Sequence, residues 1–482
     1  MHYYLAIDLG TTGCRSILFD SALTQIADSY QEYGLETPQE KWAEQDAQLW
    51  WELSLRTAQA AIEKSGIRAS SIDAISISSQ GITIVPVDSE LRPLCPAISW
   101  LDVRPEKQTE ELMKRYGFRE MFTYTGKQLN PCYSLPKILW LKEERPEIFR
   151  RTWKFLMPMD YLIAKFTGNC VTDHSMASGT LLYDIRGCCW SERLVKECGI
   201  ALDQLPELRW SGEQAGVVLP EVAERLGLRK DCIVAVGAQD QKCAALGVGL
   251  TDGVMTISLG TCAAITKLWH EAKTDGDTRI GWCGYVQPQA WVTEGVINTG
   301  AVCLRWLRDT MFPGADYDTI NAEAAKALCQ HSSLLFFPYL NGPASPDNYP
   351  DSTGVFYGAT LAARRGDFAL AVMEGVAFQI RIVLEAMQAD ASVHTLVLFG
   401  GGAKSHLWCQ LIANITGKRI TVTETPEAAG AGAAILAGIG AGAFDKSAAP
   451  HVEYVREYFP EDSAYYEEKY RKYRQIEFKL WK

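Results

Sequence analysis

A five-residue pattern occurs twice in the chain and constrains the fold more than any other feature. Ile7-Asp8-Leu9-Gly10-Thr11 is echoed by Ile257-Ser258-Leu259-Gly260-Thr261, and the two copies start 250 positions apart. Each copy ends an apolar run and enters a Gly-bearing turn, and a second apolar run follows, which is a β-hairpin signal. In the first copy Leu5, Ala6 and Ile7 lead to Asp8, the turn is Gly10-Thr11-Thr12-Gly13, and the return strand runs from Ser16 to Phe19. Glycines let the backbone approach a ligand, and Thr11, Thr12 and Arg15 can all donate to an anion. One carboxylate beside those donors suits a magnesium-bound phosphate better than a bare anion. An ordinary polar hairpin is the other reading of the same residues. Two copies half a chain apart predict two similar domains facing a shared cleft. Only the first copy has an acid, as a clamp on one asymmetric ligand would require.

With 482 residues the chain is too long for one core. Its apolar content of 47% and charged content of 22% are those of a soluble globular protein. The net charge of −11 argues against a nucleic-acid surface and against an anionic membrane. Fourteen cysteines are scattered without a CxxC pair, and the first strand starts within five residues of Met1. No signal peptide is therefore expected, and the thiols read as reduced in a cytoplasmic protein. The stretch Ala428 to Phe444 is rich in Gly and Ala and shorter than the roughly 20 residues that a spanning helix needs. It predicts a buried helix packed closely against another element.

Along the chain, Asp46 is a good N-cap for a helix through Trp50, Leu53, Ala58 and Ile62 that stops near Gly66. Strands are expected at Ile72 to Ser79 and, after Gln80-Gly81, at Ile82 to Val87. Strand, helix, strand in that order points to an α/β domain. Residues 130 to about 168 read as helical and aromatic-rich. A second α/β segment starts near Cys232. A strand from Leu396 to Phe399 runs into Gly400-Gly401-Gly402, with a helix from about Ser405, an arrangement that brings a ligand to a helix N-terminus. It has neither the GxGxxG nor the GxxxxGK[ST] spacing. The chain ends in a Tyr-rich helix, Ser463 to Trp481, expected to dock through Tyr466, Tyr470, Tyr473 and Leu480.

Seven His with no HExxH or CxxC give zinc little support, and no GxSxG nucleophile is present. Asp240, in Gly237-Ala238-Gln239-Asp240-Gln241, follows a buried-looking strand and belongs at its C-terminal end, where α/β sheets bind ligands. A carboxylate there could take a proton from a substrate hydroxyl as its oxygen attacks phosphorus. It could equally cap the helix starting at Gln241. Trp100, Asp102 and Arg104 also have two readings: an aromatic wall with polar groups for a sugar, or a structural Trp beside a local Asp–Arg pair. Lys137 and Trp140 read as packing and surface residues.

As an ordered set, these stretches resemble the FGGY carbohydrate kinases of the actin-like ATPase fold, and the resemblance runs nearly end to end. DLGTTGCRS and SLGTCAA are similar to the family's two phosphate motifs, FGGGAKSHLWCQLIANITGKRI to its adenosine motif, and NPCYSLPKILWLKEE to its first signature, with Cys132 as a departure. MPMDYLIAKFTG and TDHSMASGTLLYDI look most like xylulokinases. The resemblance implies two actin-like, ribonuclease H-like α/β domains, residues 1–248 for the sugar and catalytic Asp and 249–482 for the adenine nucleotide, flanking a central cleft. It implies ATP and Mg²⁺ as cofactors, with Asp240 as general base and Asp8 at the metal. Thr11, Thr12, Arg15, Gly260 and Thr261 would meet phosphates; Gly300, Gly401, Gly402 and Ser405 would line the adenine and ribose pocket. Gln80, Gly81, Ile82, Trp100, Asp102 and Gln241 would face a small sugar or polyol, with a ketopentose such as xylulose first among them. Xylulokinases usually carry Met-His after that Gln and glycerol kinases Arg-Glu, whereas Gly81-Ile82 stands here. An Ile cannot bond a hydroxyl as His or Glu would, so glycerol is not expected, and a different ketose, deoxy sugar or polyol comes into view. An actin- or chaperone-like ATP switch and a regulatory homologue with an altered sugar site are the rivals. No stretch specifies an oligomer, and a homodimer stays open.

Overall fold

The computed structural model describes residues 2–342, 345–347, 349–389, 391–423, 427–446 and 452–481. By packing, the chain forms two units: Met1–Gly247 with Trp269–Val292 and Glu427–Pro450, and Val248–Leu268 with Thr293–Pro426 and His451–Lys482.

In the first unit a six-stranded sheet is ordered Gln25–Glu32, Gly13–Asp20, Tyr3–Leu9, Ile72–Ser79, Ile233–Gln239, Gln214–Val217. The first three strands are antiparallel neighbours, Ile72–Ser79 and Ile233–Gln239 continue parallel to Tyr3–Leu9, and the last edge is antiparallel. Tyr4, Leu5, Ala6, Ile7 and Leu9 are all buried, so this central strand is covered on both faces. The helix Ala47–Ser65 has the expected ends: Asp46 accepts from the Gln48 N–H at 2.8 Å, and Gly66 takes the left-handed conformation, φ 69°. Trp50, Leu53, Ala58 and Ile62 are its buried stripe.

Two expectations change here. The strand predicted from Ile82 begins only at Val85 and ends at Val87, because Ile82 adopts φ +53°, which no strand residue does. The aromatic-rich region is helical over Ser134–Glu144, Pro146–Arg151 and Pro158–Thr167, with a short strand, Lys154–Leu156, between.

The helix Ala428–Gly440 is buried, as its composition predicts, and its neighbour is the helix Asp240–Gly247. A Cβ on Gly432 would lie 1.9 Å from the Cys243 carbonyl oxygen, so the two backbones touch and only glycine fits. Six strands of a second, seven-stranded sheet repeat the order of the first, Trp291–Ile297, Ala263–Trp269, Val254–Leu259, Thr395–Phe399, Arg419–Thr423, Tyr454–Tyr458, with Gly281–Gly284 added beyond Trp291–Ile297. Val254–Leu259 pairs antiparallel with Ala263–Trp269 and parallel with Thr395–Phe399, and the last strand is again antiparallel. The repeat seen in five residues is thus a repeat of topology. The C-terminal helix Ser463–Trp481 docks through buried Tyr466, Tyr470 and Tyr473, aided by a buried Lys469–Glu374 ion pair at 2.6 Å. Leu480, expected on that face, is 40% exposed instead. All fourteen cysteines are free thiols.

Candidate functional site

In the first unit the turn Gly10–Gly13 closes with the Gly10 N–H on the Gly13 carbonyl at 2.9 Å. The hairpin register sets Asp8 opposite Arg15 and Leu9 opposite Cys14. Asp8 is half-buried and accepts from the Ser78 hydroxyl at 2.8 Å. Burial raises its carboxyl above the ordinary range, opposed by that hydroxyl and by the Arg15 charge. The Thr12 side chain stands exposed at the turn. Arg15 is otherwise engaged: its guanidinium bonds Asp28 at 2.8 Å, pairs with Glu427 at 3.1 Å and lies over the Tyr30 ring.

Thr11 belongs to a closed circuit. Trp100 Nε1 donates to Thr11 Oγ1 at 2.9 Å, and Gln45 Nε2 donates to the Thr11 carbonyl at 2.7 Å. Gln80 Nε2 donates to Gln45 Oε1 at 2.8 Å, Thr83 Oγ1 to Gln80 Oε1 at 3.4 Å, and the Trp100 N–H returns to Thr83 Oγ1 at 3.0 Å. Gln80 is buried within this ring, whereas the Trp100 side chain is exposed enough to offer its face. Asp102 is fully buried; it accepts from the Ala43 N–H at 2.6 Å and from Arg104 at 2.6 to 2.9 Å. Arg104 also bonds Glu44 at 2.8 Å and stacks on Trp42 and Trp140. Of the two readings of this trio, the geometry supports the structural Asp–Arg pair, with Asp102 anchoring the segment that carries Trp100.

Asp240 opens the helix that follows the strand Ile233–Gln239. The register of that strand against Ile72–Ser79 slips between Ala235 and Ala238, around Gly237, whose Cβ would fall 1.7 Å from the Ile77 carbonyl. Such irregularities re-aim side chains beside functional sites. Asp240 Oδ1 accepts from the Gln241 N–H at 2.6 Å and from the Gln239 side chain, and Asp240 is itself the first residue of the helix rather than the residue before it. Gly81 packs against Gln239, where a Cβ would meet Cγ at 3.0 Å. Sequence reasoning missed Gln239 and Gln45, and took Lys137 for a packing residue. Adjacency to Asp240 was the signal for Gln239; Gln45 had none, since only the fold brings it to the turn.

In the second unit a cavity of about 490 Å³ is lined by Gly260, Thr261, Asn321, Gly401, Gly402 and Ser405 among others. Gly400, at φ +88°, turns the strand Thr395–Phe399 into it. Ser405 caps the helix His406–Thr416 by accepting from the Trp408 N–H at 3.2 Å, and it donates to Asn321 Oδ1 at 2.9 Å. Gly300, expected in the lining, stands against the Thr261 turn. Its N–H donates to the Thr261 carbonyl at 2.8 Å and it packs on the Cys262–Ala263 backbone, while its neighbour Ala301 lines the cavity. Mostly apolar, with a few convergent polar groups and a helix N-terminus, this cavity has the chemistry of a nucleotide pocket. Among the described residues no cluster of three or more His, Cys, Asp or Glu could hold a metal by itself.

Two family models together match most of the chain. The N-terminal domain of the FGGY family of carbohydrate kinases covers residues 3–247, and its C-terminal domain covers 255–441. A xylulose kinase of Lactococcus lactis subsp. lactis is 33% identical over 99% of this chain and 96% of its own length. A gluconokinase of Bacillus subtilis is 30% identical over 90% of this chain and 86% of its own. Among solved structures, a xyloylose kinase from Brucella ovis superposes with a TM-score of 0.92 at 30% identity, covering 99% of both chains. The chain belongs to the FGGY family of carbohydrate kinases.

Proposed function

We propose that this kinase transfers the γ-phosphoryl group of ATP to a hydroxyl of a small neutral ketose or polyol, with a xylulose-like ketopentose as the first candidate. In this reading residues 1–248 carry the sugar and its base, and residues 249–482 carry the nucleotide. Asp240 carries the proposal: a half-buried carboxylate at the end of a parallel strand, steered by a register slip and flanked by Gln239 and Gln241. It takes the proton from the acceptor hydroxyl as that oxygen attacks phosphorus. Gln241, the Trp100 face and the Gly81-Ile82 turn surround the sugar; Gln80 and Asp102 support that wall from beneath. The cavity at Gly401, Gly402 and Ser405 accepts adenine and ribose, with Gly300 bracing its Thr261 turn. Thr12, Gly260 and Thr261 offer donors to phosphate oxygens.

A Mg²⁺ ion arriving with the nucleotide would neutralise charge developing on the transferred group. Asp8 suits such an ion: it is a half-buried carboxylate beside the Gly10–Gly13 turn, and burial raises its carboxyl despite Ser78 and Arg15, a penalty that a cation would relieve.

The test is a coupled assay of ADP release over ketopentoses, ketohexoses, tetritols, pentitols and gluconate. We expect turnover that depends on a neutral ketose or polyol, and a loss of about 10²–10⁴ in kcat for Asp240→Asn with the fold intact. ATP hydrolysis indifferent to every sugar, or a near-normal Asp240→Asn, would overturn the proposal.

A further inference from the structure

The turn that departs from the xylulokinase and glycerol kinase patterns is also held in an unfavourable backbone conformation. Ile82 has φ +53°, a region that β-branched residues almost never enter. The Thr83 N–H reaches back to the Gly81 carbonyl at 2.7 Å, so Ile82 is the centre of a tight three-residue turn, a strained form when φ is positive. Such conformations persist only where the surroundings over-determine them, and they cluster at ligand sites.

Three neighbours do the determining. Lys137 Nζ donates to the Ile82 carbonyl at 3.0 Å and Ser134 Oγ donates to the same oxygen at 3.3 Å. Both lie at the start of the helix Ser134–Glu144, and Lys137 is 0% exposed. Gly179 leaves room for the side chain, since a Cβ there would stand 2.6 Å from Ile82 Cγ2. On its other side the turn meets the base, through Gly81 against Gln239 and Gln239 on Asp240.

Lys137 is an expensive way to hold a carbonyl. Among the described residues no carboxylate lies within ion-pair distance of it, and burial pulls its pKa down to about 7, against the influence of Cys132 and Asp102. A buried amine without a counter-ion is poor material for stability alone.

We propose that Lys137 is a positioning residue for the acceptor sugar. It grips the Ile82 carbonyl and so fixes a strained turn that presents an apolar side chain and the Gly81 backbone beside Gln239 and Asp240. That turn favours an acceptor with a C–H or methylene edge where the family's usual His or Glu would bond a hydroxyl. The inference rests on the reading of Asp240 as the base of a sugar kinase.

A double-mutant cycle tests it, using Lys137→Met, Ile82→Gly and the two combined in the full chain, with KM for the accepted sugar and for ATP measured separately and folding checked by thermal melting. Glycine takes a positive φ without strain, so Ile82→Gly removes the need for a grip. We expect Lys137→Met to raise the sugar KM by about tenfold, the worth of one charged hydrogen bond, and leave the ATP KM within about twofold. In the Ile82→Gly background the same change should shrink to about threefold or less. An undiminished effect in that background, equal shifts in both KM values, or a Lys137→Met chain that melts early yet binds sugar normally would overturn the assignment. If the unaltered chain turns over with no sugar at all, the kinase reading falls first and this one with it.

Discussion

The two hairpins share a pattern and a place in their sheets, yet they are wired differently. The first closes over four residues, Gly10 to Gly13, and the second over three, Gly260 to Cys262, between paired Leu259 and Ala263. Asp8 faces Arg15 across the first; Ser258 faces Ala264 across the second. The first turn is tied through Thr11 to Gln45 and Trp100, on the proposed sugar side. The second opens through Gly260 and Thr261 onto the cavity proposed for the nucleotide. The two copies thus share a strand pairing and divide in turn length and surroundings: one sets a carboxylate opposite Arg15 and is bonded to Gln45 and Trp100, the other lines a pocket.

The largest test of that division is the pair Asp8→Ala and Ser258→Ala. The first should lower kcat/KM for Mg²⁺-ATP by about tenfold to 10²-fold or more with sugar binding nearly unchanged, and the second by only a few-fold. Equal losses would erase the asymmetry. Thr11→Val and Thr261→Val come next, each removing one hydroxyl: the former should raise the sugar KM and the latter the ATP KM, each by about two- to tenfold. A swap of those two phenotypes would break the comparison. The smallest effect is expected at Arg15, whose guanidinium is already committed to Asp28, Glu427 and Tyr30. Arg15→Met should cost about 1 kcal/mol of stability in denaturant titration and leave the ATP KM within about twofold. A tenfold rise in that KM would restore Arg15 as a phosphate contact.

Much of this was legible in the residues. Hairpins, caps and buried strands are local: Asp46 and Gly66 end their helix as their types require, and Leu5, Ala6, Ile7 and Leu9 are apolar because both faces are covered. The order of motifs was enough to identify the family. What could not be read were contacts between distant stretches. Asp102 and Arg104 look like sugar ligands until the fold brings Glu44, Trp42 and Trp140 around them. Nothing in the sequence marks Gln45, and Lys137 reads as a packing residue, until Thr11 and Ile82 arrive. Ile82 itself was assigned to a strand because β-branched residues favour strands, and tertiary contacts overrode that preference.

The glycine-lined contact between Asp240–Gly247 and Ala428–Gly440 has a consequence for how the chain is made. Synthesis delivers the Asp240 helix long before the helix it touches backbone to backbone. Until residues 428–440 emerge, the nascent first unit carries an apolar seam, including Ala244, Ala245 and Cys243, with nothing to cover it. The part of the first unit that is translated first is therefore among the last to be completed, because its helix Asp240–Gly247 is covered only once residues 428–440 have been made.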